Sequence, residues 1–276
     1  MRVAYLGPPG TFSEEAVTRC DLAAGDEPLP CASFPAAWDA VLSGGADAAL
    51  LPVENSIEGA IGTTLDLLVH RPGLLIRREV LLPVQQHLLA AAGTTLAQVT
   101  RVLSHPQPLG QCARFLRERL PGAGLEPTIS TADAAIQVSR GLPGAAAIGA
   151  RAAATRYGLT IIAEGIQDSD ENTTRFLLVA RADEARTGSD RTSIAFTLDR
   201  DRPGGLYEVM GEFASRGINL SKLESRPVKG ALGLYYFFLD FEGHRLDAPC
   251  AEALEGVRRR AHRLHLLGSY PRVSLA

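Results

Sequence analysis

Two rhythms of apolar and polar positions run along this chain, and they change character near residue 182. In the first region, short β-branched or apolar runs alternate with Ala- and Leu-rich stretches. Residues 3–6, 48–53, 84–90, 101–103, 145–148, 160–163 and 176–179 read as strands. Most lack the alternation of a half-exposed sheet, which predicts burial on both faces in an α/β domain. Helices are expected over 14–20, 36–43, 65–70, 111–120, 134–140 and 150–157. Around the fourth, Leu109, Cys112, Ala113, Leu116 and Leu120 keep the spacing of one apolar helix face, which puts Cys112 in the core.

Residues 182–191 are polar, charged and aperiodic, and predict a linker. A second pattern follows. A strand is expected over 192–198, a turn over 201–205, and a helix over 206–216 with Leu206, Val209, Met210 and Phe213 on one face. Gly217 stops that helix. Strands over 218–227 and 234–241 flank a turn at 228–233, and a helix over 248–263 leads to a last strand over 264–270. The order βαββαβ is that of a ferredoxin-like unit.

A chain of 276 residues suits one large domain or two unequal ones and can bury a real core. With 28 Lys and Arg against 31 Asp and Glu, a broad nucleic-acid-binding face is not expected. No apolar run approaches the ~20 residues of a membrane span. No signal segment is expected ahead of the first strand. The four cysteines form no Cys-x-x-Cys pair, so neither a zinc site nor a disulfide framework is expected, and a reducing cytoplasm is.

One local design recurs: strand end, small hydroxyl or amide residue, helix start. Gly7-Pro8-Pro9-Gly10-Thr11-Phe12-Ser13-Glu14 follows the first strand, and Thr11 with Glu14 has capping-box spacing. Glu54-Asn55-Ser56-Ile57-Glu58-Gly59 follows the second expected strand. Ser104-His105-Pro106-Gln107 follows another, and Ser130-Thr131-Ala132-Asp133 opens a helix. Several helix N-termini converging on one cleft would bind a small polyanion without many lysines. In an open α/β sheet that cleft lies beyond the carboxyl ends of the strands. The same residues also serve as ordinary helix caps. Gly7-x-x-Gly10 lacks the endings of a P-loop or a dinucleotide fingerprint, so no nucleotide cofactor is expected. The segment 167–176 sets an acidic loop against an apolar strand. At the junction Arg175 either grips a carboxylate through two parallel bonds or closes a turn with a surface ion pair.

Taken in order, the first two loops, Ser104-His105-Pro106-Gln107 with Gln111-Cys112, Ser130-Thr131-Ala132, and Asn172-Thr173-Thr174-Arg175-Phe176 resemble the motifs of the prephenate dehydratases. The resemblance spans nearly the whole chain. The tail is similar to an ACT domain of the phenylalanine-sensing type, through Pro203-Gly204-Gly205-Leu206 and Leu223-Glu224-Ser225-Arg226-Pro227. Gly205 stands where that family usually has alanine.

The resemblance implies an α/β fold with a catalytic domain at 1–181 and an ACT regulatory domain at 192–271. The catalytic part would be two-lobed and periplasmic-binding-protein-like, one lobe at about 1–80 plus 165–181 and the other at 81–164. The implied reaction converts prephenate to phenylpyruvate in L-phenylalanine biosynthesis, with neither cofactor nor metal. Thr174 is the implied catalytic residue, and Thr11, Asn55, Ser56, Thr131 and Arg175 the implied substrate ligands. Glu54 either tunes the site or orders its own loop, and His105 is either a proton carrier or a structural histidine. Gly204, Gly205, Leu206, Glu224, Ser225 and Arg226 are the implied site for L-phenylalanine as effector. A homodimer or homotetramer through the ACT domains is implied, and no fused mutase is expected. Two readings compete: a non-catalytic sensor, and an enzyme acting on arogenate. An intact Thr174-Arg175-Phe176 speaks against the sensor.

Overall fold

The computed structural model describes residues 1–20, 27–198 and 203–273. The chain opens with β1 (Arg2–Leu6), α1 (Phe12–Thr18), β2 (Glu27–Cys31), α2 (Phe34–Leu42), β3 (Ala48–Asn55) and β4 (Gly59–Ala60). It continues through α3 (Gly62–His70), β5 (Leu75–Pro83), β6 (His87–Ala90), β7 (Arg101–Ser104), α4 (Pro106–Gln111) and α5 (Ala113–Arg119). Next come β8 (Gly124–Pro127), α6 (Thr131–Ser139), β9 (Ala145–Gly149), α7 (Arg151–Tyr157), β10 (Thr160–Ala163) and β11 (Thr173–Ala180). The last elements are β12 (Asp190–Thr197), α8 (Gly205–Ala214), β13 (Leu220–Val228), β14 (Ala231–Glu242), α9 (Ala248–Arg260) and β15 (Arg263–Pro271). Two compact units result: Met1–Gly62 with Val80–Phe176, and Thr63–Glu79 with Leu177–Ala276.

Two sheets are built mainly from residues of the first unit. One has the order β2-β1-β3-β11-β5, with β4 paired to β3, and the other the order β10-β6-β9-β7-β8. In the second sheet successive residues serve opposite faces, as the two-residue period of a strand requires. Leu88, Val102, Ala146 and Ile148 join Cys112, Leu116 and Leu120 on one side. Their neighbours Leu89, Leu103, Ala145 and Ala147 join Ala134, Ala135, Ala153 and Ala154 on the other. Both faces are therefore dry, as the unbroken apolar runs predicted.

Several expectations are corrected. The strand expected over 84–90 is confined to β6, which begins at His87, while β5, which ends at Pro83, was not expected. The N–H groups between them are taken elsewhere: Val84 donates to the Asn172 carbonyl at 2.7 Å and Gln86 to Gln167 Oε1 at 3.0 Å. The helix expected over 111–120 breaks at Cys112, where φ is −113° and ψ 17°. Proline at 106 and 108 and glycine at 110 make the first segment a poor helix former. A new helix starts under a separate cap, Asp168, whose carboxylate accepts the Arg114 N–H at 3.1 Å. Ala113 is consequently exposed rather than on the apolar face. The Thr11–Glu14 capping box does not form, because Glu14 reaches back to the Gly10 N–H at 2.6 Å and Thr11 donates to the Leu6 carbonyl. Strands β2 and β8 escaped the sequence reading because they are sheet edges, where prolines and charges are tolerated.

In the second unit the antiparallel order is β13-β14-β12-β15. Helices α8 and α9 bury Val209, Phe213, Ala253 and Val257 against Ile194, Phe196, Leu239 and Phe241. Of the turn expected over 201–205, Asp201 and Arg202 lie outside the described residues. Gly204 caps α8 at φ +84°, a left-handed conformation that glycine adopts without a Cβ clash. The segment 182–191 is pinned rather than loose. Asp183 pairs with Arg245 and accepts the Ser269 N–H, Glu184 pairs with Arg77 at 2.5 Å, and β12 already begins at Asp190. Within this unit Glu79 is buried, held by Arg191 at 2.5 Å and the Val273 N–H at 3.0 Å.

Candidate active site

The first unit encloses a cavity of about 360 Å³. Phe12 from α1, Asn55 at the end of β3 and Glu58 after it, and Asn172 and Thr174 at the start of β11 line it. So do Val84 and Gln86 between β5 and β6, His105, Gln107 and Gln111 around α4, and Ser130 and Thr131 at α6. None of these lining residues, among those described, is a lysine or an arginine.

The cavity wall is organised by a chain of side-chain amides whose direction is fixed at one end. Asn55 Oδ1 accepts the backbone N–H groups of Ile57 and Glu58, both at 3.0 Å, closing an Asx-type turn. Only an oxygen accepts two N–H groups, so the other side of that amide is the NH₂. Asn55 Nδ2 then donates to Thr174 Oγ1 at 2.9 Å and to Asn172 Oδ1 at 2.7 Å. Asn172 Nδ2 in turn donates to Gln111 Oε1 at 3.1 Å. Gln111 Nε2 ends the chain, buried and without a hydrogen-bond partner among the described residues. Because Thr174 Oγ1 already accepts, its own proton is left to be donated.

The start of β11 is held by Ser56. Its N–H donates to the Thr173 carbonyl at 2.9 Å, its hydroxyl donates to the Glu171 carbonyl at 2.6 Å, and its oxygen accepts the Thr173 N–H at 2.9 Å. At α6 the Ser130 hydroxyl oxygen accepts the Asp133 N–H at 3.0 Å. That cap places Thr131 in the first helical turn, where N–H groups have no intrahelical partner. His105 caps α4, its Nδ1 accepting the Gln107 N–H at 3.4 Å. Ser104 lies in the buried strand and donates to the Ile148 carbonyl at 2.8 Å. Cys112 is fully buried, and burial, with the Asp168 charge behind it, pushes its thiol up to about 12.

Of the residues singled out from sequence, the structure brings Thr174, Asn55, Thr131 and His105 to one cavity. It does not bring Thr11, Ser56, Glu54 or Arg175 to the wall. Thr11 points back to its own strand, and Ser56 is engaged by backbone. Arg175 follows Thr174 in a strand, so its side chain leaves the opposite face, where it approaches Glu54 at 3.9 Å. The candidate effector residues lie in the second unit. Gly204, Gly205 and Leu206 open α8, while Glu224, Ser225 and Arg226 fall inside β13 rather than at its end. Strand alternation puts Glu224 and Arg226 on one face and Ser225 on the other. Gln111 and Asn172 were visible only as motif letters. The signal that distinguishes them is the hydrogen-bond chain, which joins residues far apart in sequence.

A family model described as prephenate dehydratase matches residues 3–184. The prephenate dehydratase of Mycobacterium bovis is 43% identical over 282 residues, covering 98% of this chain and 87% of its own. The crystal structure of prephenate dehydratase from Arthrobacter aurescens in complex with L-Phe superposes with a TM-score of 0.90. It is 40% identical and covers 99% of this chain and 90% of its own. A solved protein described as GqqA, a novel type of quorum quenching acylase, is 31% identical with a TM-score of 0.89, covering 99% and 98%.

Proposed function

The chain belongs to the prephenate dehydratase family, and we propose that the amide-lined cavity of its first unit is where prephenate becomes phenylpyruvate. In that reaction the ring carbon loses its carboxylate as carbon dioxide. The released electron pair moves through the ring and expels the hydroxyl from the opposite carbon. That hydroxyl takes up a proton and leaves as water, and the ring is aromatic. Aromatisation supplies the driving force, so no electron sink is needed. The protein has two tasks: to hold a dicarboxylate and to help hydroxide leave.

The observation that carries this reading is the bond from Asn55 into Thr174 Oγ1, which turns the Thr174 hydroxyl into a donor at the cavity wall. A threonine hydroxyl is too weak an acid to give its proton away outright. Thr174 therefore acts as a positioned donor to the departing hydroxyl, a contribution of ~10²–10³ in rate for a preorganised donor. The first-turn N–H groups of α6 beside Thr131, and Gln111 Nε2, are neutral donors for the carboxylates. His105, with Nδ1 accepting a backbone N–H, carries the proton of its neutral form on Nε2 and faces the same space. Ser56 holds Thr173 and Thr174 in place, Arg175 and Glu54 tie the two strands behind them, and Thr11 steadies the loop before Phe12.

We read residues 1–181 as a two-lobed catalytic region of the periplasmic-binding-protein kind, lobes 1–80 plus 165–181 and 81–164. The cavity flanked by residues from both sheets supports this. Residues 192–271 are read as an ACT domain, supported by the βαββαβ order on an antiparallel sheet. The Arthrobacter relative was solved with L-Phe, and the same effector is proposed here, at the α8 start and the β13 face with Glu224 and Arg226. Assembly as a homodimer or homotetramer through the ACT domains, in the cytoplasm, completes the reading.

The test is to supply the purified chain with prephenate and, separately, with arogenate, and to identify the aromatic product. Phenylpyruvate from prephenate is expected, and its absence overturns the assignment. An acylase reading, prompted by GqqA, needs a nucleophile with a base in hydrogen-bond reach. The hydrogen bond at the Thr174 hydroxyl comes from an amide donor, and Cys112 is a core thiol, so the geometry favours dehydration.

A further inference from the structure

Gln111 lines the cavity with its oxygen taken by Asn172 and its NH₂ without a partner among the described residues, and we infer that Asn172 enforces this orientation as a positioning residue for substrate binding. The inference rests on the dehydratase reading of the cavity and deepens it.

A glutamine amide left to itself has two orientations of similar energy about its last torsion. Here the choice is made upstream. Two backbone N–H groups orient Asn55, Asn55 orients Asn172, and Asn172 orients Gln111. If Gln111 turned round, its NH₂ would meet the NH₂ of Asn172, two donors face to face. Its oxygen would meet a carboxylate-bearing substrate, two acceptors face to face. Asn172 has little freedom of its own, being 2% exposed with its carbonyl held by the Val84 N–H. Gln111 Nε2 is buried with no partner among the described residues, so its donor capacity is open to a bound oxyanion. Thr174 takes its bond from Asn55 directly and not through Asn172. Disturbing Asn172 therefore acts on binding more than on the departing hydroxyl.

Aspartate at position 172 reverses the chain at one link: it still accepts from Asn55 but also accepts from Gln111, which then shows its oxygen to the substrate. The experiment measures kcat and KM for prephenate in Asn172→Asp and Asn172→Ala, each with and without Gln111→Met. Circular dichroism confirms the fold. With Gln111 present, Asn172→Asp is expected to raise KM about 10-fold or more while kcat changes less than about threefold. In the Gln111→Met background the same change should move KM less than about twofold, the signature of a residue acting through its neighbour. Equal KM increases in both backgrounds would mean plain charge repulsion and overturn the inference, as would a fall in kcat at constant KM. Should the aspartate variant not fold, Asn172→Ala carries the same cycle, with a smaller KM rise that also vanishes in the Gln111→Met background. A wild-type chain inactive on prephenate would overturn the dehydratase reading instead.

Discussion

Thr174 shows how one hydrogen bond changes what a side chain can do. A free hydroxyl both donates and accepts, but once Asn55 donates into it the remaining proton has one direction of use. Thr174→Ala should therefore cut kcat by roughly 100-fold or more with little change in KM, the pattern of an interaction made in the transition state. Thr174→Ser, which keeps the hydroxyl, should retain more activity. Steady-state kinetics decide it, and near-normal turnover in the alanine variant would remove the assignment. Ser56 makes the converse point. The resemblance made it a ligand at a loop, yet its hydroxyl is engaged with the Glu171 carbonyl and the Thr173 N–H.

The break between α4 and α5 matters because it ends the first helix at Gln111, on the cavity wall. Asp168 stabilises that break by capping α5 from a distant loop, while its own N–H donates to the Gln111 carbonyl at 2.6 Å. Replacing a capping carboxylate by alanine typically costs about 1 kcal/mol. Asp168→Ala should lower the unfolding midpoint in urea by a corresponding amount, and an unchanged midpoint would show that the cap is idle. The aperiodic segment 167–172, featureless as text, thus anchors two elements of the site. Its acidic residues were legible as a loop; the partner of the Asp168 carboxylate, more than fifty positions away, was not.

A buried and a half-buried histidine give the molecule a pH dependence whose sign can be worked out. Burial, reinforced by Arg151, holds His87 below its ordinary 6.5, and burial with Arg263 and His70 does the same to His265. A depressed pKa means the unfolded chain takes up the proton first. The stability from these groups is thus present above about pH 6.5 and is lost as the pH falls from there through the folded values. Melting temperature should drop between pH 7.5 and 5.5, and His87→Gln, which can still accept the Gly165 N–H, should shallow the slope. A flat profile would contradict the burial argument. Effector binding is the other whole-chain property. If L-phenylalanine and substrate are coupled, by a typical ~1–3 kcal/mol, each changes the other's affinity by the same roughly 5- to 150-fold factor. Calorimetric titration of L-phenylalanine into the full chain, with and without a substrate analogue, tests this, and equal affinities would remove the coupling.

What the sequence determined by itself is whatever depends on near neighbours. Apolar runs placed β3, β7 and β9, an Ala- and Leu-rich stretch placed α2, a helix cap placed α6, and the change of pattern near residue 182 announced the second region. Thr174, Asn55 and Thr131 were legible because each sits in a short motif at an element's end. Tertiary structure decided what depends on pairing across the chain. It made strands of the proline-bearing edge segments, divided one expected helix, and left Arg175 and Ser56 off the cavity wall. It also joined Asn55, Asn172 and Gln111 into one oriented line. The physical reason is that an amide has no preferred polarity of its own. Its direction is set by the donors and acceptors it meets, and here those come together only when β3, β11 and α4 do.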